Sequence, residues 1–169
     1  MKKIIKVLFS ISFVIYLLAL VALLFLGTRG FFWSDQSLID YIKNSSNFVP
    51  FKTIRLYITA LFDGSMNMDI PIKNLFGNFI IFLPMGIYLP YYLKKINKVS
   101  GFVVAMVLLF FVIEVVQVFT RRGSFDIDDF ILNLLGSLIG FAIWRTKGVQ
   151  KALKKLDSKG ISKRLLINR

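Results

Sequence analysis

Glu114, Gln117 and Arg121 follow an i, i+3, i+7 spacing, and Asp126, Asp129 and Asn133 repeat it. On a helix each trio lies along one face, so two stripes of hydrogen-bonding and ionisable groups run through otherwise apolar sequence. Asn78, Arg122 and Asp128 extend the set. Three chemistries suit it. Carboxylates beside guanidinium groups pair with them, or the two arginines hold an anionic head group by bidentate hydrogen bonds. Asp126, Asp128 and Asp129 can instead ligate Mg²⁺ through oxygen while Glu114 serves as a general base, which describes an enzyme acting on a lipid head group. Glu114 alone can carry a proton, as in a small transporter. A plainer role is also open, because Ser124 or Asp126 is a good helix N-cap and acidic residues in a first turn complement the helix dipole. Glu114, Gln117 and Asn133 lie too far inside their apolar runs to act as caps.

The sequence contains no cysteine and no histidine. Disulfides, Cys/His zinc sites, thiol nucleophiles, Ser-His-Asp triads and imidazole proton shuttles are therefore all excluded. A two-metal version of the Mg²⁺ chemistry wants a second acidic cluster on a facing helix, and only Glu114 is on offer there. Binding leads on these grounds, with no metal and no cofactor expected.

The elements that must position these residues follow from hydropathy. Of 169 residues 56% are hydrophobic, against about 45–50% in a soluble domain, so lipid is the expected solvent. Val7–Leu26 is uncharged and about 20 residues long, enough at about 1.5 Å per residue to cross a hydrocarbon core of about 30 Å. It is too long for a signal-peptide core and no A-x-A site follows, so residues 1–26 read as an N-terminal anchor helix. Leu75–Leu93, Gly101–Phe119 and Ile127–Trp144 are each about 18 to 19 residues, again near the spanning length. The expected fold is all-α, an integral membrane bundle of four transmembrane helices with a long outer segment, 27–74, between the first two.

Charge sets the orientation. There are 22 Lys+Arg against 9 Asp+Glu. Lys2, Lys3 and Lys6 precede span one, Lys94, Lys95 and Lys98 separate spans two and three, and residues 145–169 form a basic tail, while 27–74 is nearly balanced. The positive-inside tendency puts both termini and the 94–100 loop in the cytoplasm, and 27–74 and the 120–126 turn outside. Arg121 and Arg122 are then outer-side cations that topology does not call for. With this orientation Glu114 lies about 8 Å below the outer end of span three and Asn133 roughly 9 Å below the start of span four, with Asn78 at similar depth. Three helices then deliver polar side chains to one outer-leaflet layer, a candidate pocket. In the tail, Val149, Leu153 and Leu156 interleave with Lys151, Lys154, Lys155 and Lys159, which suits an amphipathic helix on an anionic leaflet. No folded basic module exists apart from this tail, so nucleic acid is not an expected partner.

Other residues speak to packing. Gly136 and Gly140 form G-x-x-x-G in span four, and Gly77 and Gly86 lie in span two, where small residues let helices approach closely. Pro84 and Pro90 interrupt span two, and proline frees backbone carbonyls and kinks a helix. Within 27–74, Ile54, Tyr57, Ile58 and Leu61 recur at helical spacing. They predict a short amphipathic helix, either in the interface or packed as a lid.

Several stretches occur in order: Asn47-Phe48-Val49-Pro50-Phe51-Lys52-Thr53-Ile54; Gly77-Asn78 with Phe82, Pro84 and Gly86; Glu114-x-x-Gln117; and Arg122-Gly123-Ser124-Phe125-Asp126-Ile127-Asp128-Asp129 followed by Asn133, Gly136 and Gly140. On these residues the chain resembles the VanZ-like family of bacterial membrane proteins over roughly 47–141. The resemblance implies a multi-pass protein of the bacterial cell membrane with a three-helix VanZ-like core over 75–144. In some members the family is linked to reduced susceptibility to the lipoglycopeptide teicoplanin rather than to vancomycin, and it brings no settled reaction. The expected partner is membrane lipid, with a lipid-linked cell-wall intermediate or the lipoglycopeptide itself as the amphiphile bound.

Overall fold

The computed structural model describes residues 2–26 and 37–151. Residues 27–36, and the part of the tail that carries Leu153 to Lys159, lie outside the described residues. Helix α1 (Lys2–Val21) runs into one turn of π-helix at Ala22–Leu26. Two short helices, α2 (Leu38–Ser45) and α3 (Lys52–Asp63), precede α4 (Asp69–Ile81) and α5 (Met85–Tyr92), which together make one broken rod. A 3₁₀ turn at Lys94–Ile96 leads to α6 (Val99–Phe119), and α7 (Ile127–Trp144) follows after a short turn. Four stretches, Lys6–Leu26, Asp69–Tyr92, Val99–Phe119 and Ile127–Arg145, are long and apolar enough to cross a membrane. The fold is all-α with four membrane-spanning helices.

The second span starts earlier than hydropathy predicts. Its helix begins at Asp69 rather than Leu75 because local polar contacts extend it into less apolar sequence. The Asn67 carboxamide oxygen accepts from the Asp69 N–H (3.1 Å), and Lys73 pairs with Asp69 one turn away (2.8 Å). Of the two prolines expected to interrupt this span, only Pro84 breaks it. Pro90 sits inside α5, two residues before the helix ends, where its missing N–H forfeits only one bond.

At Pro84 the ladder tightens: Leu83, Met85 and Gly86 donate to Ile80, Phe82 and Leu83, each three residues back. The Ile81 carbonyl loses its helical donor as a result. Tyr16 of α1 supplies another, donating its hydroxyl to Ile81 O at 2.8 Å. In lipid no water can do this, so a kink survives only where a neighbouring helix re-satisfies the freed group. The same pair of helices is joined further along by Tyr88 and Tyr92, whose hydroxyls bond to Ser12 and Ser10, both at 3.0 Å. Phe9 and Phe13 pack on Tyr88 with ring centroids 4.8 Å away in each case.

The core is built where α7 meets α4 and α5. A Cβ at Gly136 would strike the Phe79 carbonyl, one at Gly140 the Leu83 carbonyl, and one at Gly86 the backbone of Ser137 and Phe141. Backbones thus touch at three levels, which lipid-exposed helices need because their association gains little from the hydrophobic effect. Around this seam Phe102 stacks on Phe141 (4.4 Å) and Phe82 meets Phe110 edge-on (4.7 Å). Gly77 differs from the others, since nothing lies within 4 Å of a Cβ placed there.

These contacts predict a split among the glycines. Gly136→Ala and Gly86→Ala are expected to destabilise the bundle by about 1–3 kcal/mol through overpacking. Gly77→Ala should be neutral or stabilising by up to about 1 kcal/mol, because it only gains helix propensity. Reversible unfolding of the purified protein in mixed micelles measures both, and equal effects at Gly77 and Gly136 would refute the seam.

Candidate functional site

The sequence-selected polar residues gather at the end of the bundle where α7 begins. Asp126 is the N-cap of α7, accepting from the Asp128 N–H at 2.9 Å. The same carboxylate accepts from Asn47 Nδ2 (3.0 Å) and from the Thr53 hydroxyl (2.7 Å). Backbone pairing reinforces this link: Asn47 N–H donates to Phe125 O (2.7 Å) and Ile127 N–H to Asn47 O (3.0 Å), forming a single parallel bridge between Asn47 and Asp126. Residues 47–54 are thereby fastened to the entry of α7.

Asp128 completes the fastening. Its carboxylate accepts the backbone N–H groups of Phe51 (2.5 Å), Thr53 (2.7 Å) and Ile54 (3.1 Å). These are the donors that the start of α3 cannot satisfy within itself, and α3 has no side-chain cap of its own. A carboxylate from α7 therefore caps a helix some 75 residues earlier in the chain and complements the positive end of its dipole. Phe51 is held at φ +65°, a left-handed conformation costly for a bulky residue that persists when its surroundings over-determine it. Asp128 is 1% exposed, the most buried charged residue at this end. The helical stripe selected Asp129 beside Asp126 and Asn133, yet the deepest anchoring falls to the residue between them.

The remaining residues are distributed among neighbouring elements. Asp129 accepts from the Asn78 carboxamide of α4, so two of the three helices expected to share a layer are bonded across it. Gln117 donates from Nε2 to Leu24 O at 3.0 Å, satisfying a carbonyl in the π-helical turn of α1. Arg121 is not on the α6 stripe, because α6 ends at Phe119 and Arg121 takes φ +53° in the following turn. Its guanidinium stands 5.9 Å from the ring centroid of Tyr41, whose hydroxyl donates to Gly123 O at 2.9 Å. Through these contacts α2 is tied to the α6–α7 turn. Arg122 donates its N–H to Gln117 O at 2.9 Å and is half-buried. Glu114 and Asn133 are buried on α6 and α7, and among the described residues Asn133 Oδ1 has no hydrogen-bond partner.

Asn47, Thr53, Tyr16 and Tyr41 do structural work that the sequence reading did not assign. Asn47 and Thr53 lay inside a stretch quoted only for its family resemblance. They flank the apolar stretch Phe48–Phe51, but each adjoins other polar residues, so composition gave no signal that singled them out. Among the described residues no three acidic side chains converge to hold a metal ion.

The α3 cap makes a measurable claim. Asp128→Ala leaves three amide donors without their acceptor and is expected to cost on the order of 3 kcal/mol. Amide hydrogen exchange over residues 51–54 should accelerate markedly in that variant, and much less in Asp129→Ala. Unchanged protection at Thr53 and Ile54 would show that Asp128 does not hold α3.

The VanZ/LLP1 family profile matches residues 13–148, from the middle of α1 through every element of this site. Protein VanZ of Enterococcus faecium is 28% identical over 140 residues, covering 83% of this chain and 77% of that protein. No solved structure matches. The match spans well over half of the chain and includes the three glycine contacts as well as the Asp126 and Asp128 fastenings, so the chain belongs to the VanZ/LLP1 family.

Proposed function

We propose that this protein is a non-enzymatic component of the bacterial cell envelope, with both termini in the cytoplasm, whose polar layer binds the head group of an amphiphile at the outer membrane surface. In this reading it lowers susceptibility to teicoplanin-type lipoglycopeptides. The supporting observation is burial: Glu114 and Asn133 are withdrawn from lipid at the same end as the Asn78–Asp129 pair. Buried intramembrane polar groups are costly unless they serve a partner, and Asn133 Oδ1 retains an acceptor for a hydroxyl or amide donor. The Mg²⁺ alternative needs Asp126, Asp128 and Asp129 together. Two of those carboxylates are engaged by residues 47–54, which favours binding over metal chemistry.

The orientation rests on Lys94, Lys95 and Lys98 at the opposite end from Asp128. The chain lacks cysteine, so single cysteines placed at Ser65 and Lys98 report sidedness directly. An impermeant thiol reagent should label intact cells at Ser65 and not at Lys98. Labelling at Lys98 alone would invert the topology.

Expression in a sensitive Gram-positive host is expected to shift teicoplanin susceptibility more than vancomycin susceptibility. An added acyl chain contributes about 0.8 kcal/mol per buried CH₂, which concentrates a lipid-tailed drug at the membrane surface. Glu114→Gln, Arg122→Ala and Asp129→Ala should each reduce the shift, with membrane abundance of each variant measured alongside. Equal protection against both drugs, or full protection by Glu114→Gln at normal abundance, would reject the polar-layer reading.

A further inference from the structure

Residues 48–51 invert the usual plan of a turn. A water-facing turn offers polar side chains and leaves backbone groups to solvent. Here the backbone is turned inward and the side chains outward. The N–H groups of Asn47, Val49, Phe51, Lys52, Thr53 and Ile54 all donate within the protein, to Phe125 O, Asn47 Oδ1, the Asp128 carboxylate or Val49 O. Pro50 has no N–H to satisfy. The side chains stay largely exposed, Phe48 at 66% with one face stacked on Phe125 (5.0 Å), Val49 at 58% and Phe51 at 62%. Non-helical backbone lies against hydrocarbon only where its polar groups are bonded within the protein, and from Val49 to Ile54 every N–H that the chain has is so bonded.

Depth along the bundle agrees. Helix α7 has 18 residues, about 27 Å at 1.5 Å per residue, slightly less than a hydrocarbon core of about 30 Å. With Arg145 and Lys147 just beyond its far end, the level of Asp126 and Asp128 falls at the opposite hydrocarbon boundary rather than outside it. The turn is tied to that level by both carboxylates. Helix α3 then packs on α4 and α7 with Ala60 buried, while Ile58 and Phe62 remain exposed, as do Phe76 and Ile80 of α4. Lys52 and Arg55 are exposed on the first turn of α3, where long basic side chains reach the head-group level.

We propose that the Phe48–Phe51 turn is a lipid-contacting wedge, seated at the hydrocarbon boundary with bilayer acyl chains around Phe48, Val49 and Phe51. It rests on the four-span architecture and is independent of the amphiphile reading. Asp128 and Asp126 hold the wedge in place, and the left-handed Phe51 turns its ring outward while its N–H points in.

The absence of cysteine allows a direct test on the full chain in phosphatidylcholine–phosphatidylglycerol vesicles. Nitroxide labels are placed singly through Phe48→Cys and Val49→Cys, with Ser65→Cys as the aqueous reference and Leu108→Cys, on the exposed face of α6, as the hydrocarbon reference. Relaxation by oxygen relative to a water-soluble nickel chelate reports depth. The ratio at positions 48 and 49 should be several-fold above that at 65 and approach that at 108. A ratio equal to that at 65 overturns the proposal in favour of a water-exposed turn. Suppression of both relaxants at 48 and 49 also overturns it, because a second copy or another protein then covers the turn.

Discussion

Three backbone N–H groups at the start of α3 have no acceptor within their own helix, and in hydrocarbon each unpaired group costs several kcal/mol. Asp128 removes that cost from a position on another helix. The arrangement also removes the reciprocal problem, since a carboxylate buried to 1% exposure needs several donors to remain there. Each partner is therefore tolerable only because of the other. The position of α3, the left-handed Phe51 and the inward N–H groups of residues 51–54 all follow from this one exchange. Because the donors are main-chain amides, the link depends little on which side chains α3 carries.

The same constraint recurs wherever the helices depart from regularity. Pro84 frees the Ile81 carbonyl, and Tyr16 answers it from α1. In the π-helical turn at Ala22–Leu26 the Leu24 carbonyl accepts from Gln117 of α6. Each irregularity becomes a point of attachment between two helices. This matters most for α1, which is largely exposed and lacks the glycine contacts that bind α7 to α4 and α5. Its attachment comes from Tyr16, Tyr88, Tyr92 and Gln117 instead, through hydrogen bonds and ring contacts.

The four spans were legible because hydropathy over about 20 residues is a strong one-dimensional signal. The ends of α6 and α7 at Phe119 and Trp144 coincide with the expected boundaries for the same reason. The start of α4 was not legible, because Asn67, Asp69 and Lys73 extend the helix by local bonds that hydropathy counts against it. Asn78 was expected in one layer with Glu114 and Asn133, and its bond to Asp129, a partner that shared depth did not name, joins α4 to α7 there. The capping partners of Asp128 were not legible for a different reason. A helical stripe records which residues share a face, but the partner of Asp128 is a set of main-chain donors, and main-chain donors leave no mark on composition. Arg121 illustrates a related limit: the i+7 spacing holds only while the helix continues, and α6 stops two residues earlier.

The division of labour among the polar residues bears on function. Asp126, Asp128 and Gln117 spend their hydrogen-bonding capacity on backbone or on neighbouring side chains, so removing one of them disturbs the scaffold as well as any ligand. Among the described residues the buried Asn133 oxygen has no donor, and burying a polar atom in this way is destabilising unless some further partner recovers the loss. Selection for stability alone would replace Asn133 with an apolar residue, since the neighbouring positions on α7 already pack through Gly136 and Ser137. The hydrogen bonds of the described residues therefore leave the burial of the Asn133 oxygen without a structural explanation. Asp128, by contrast, is fully explained by the architecture it holds together.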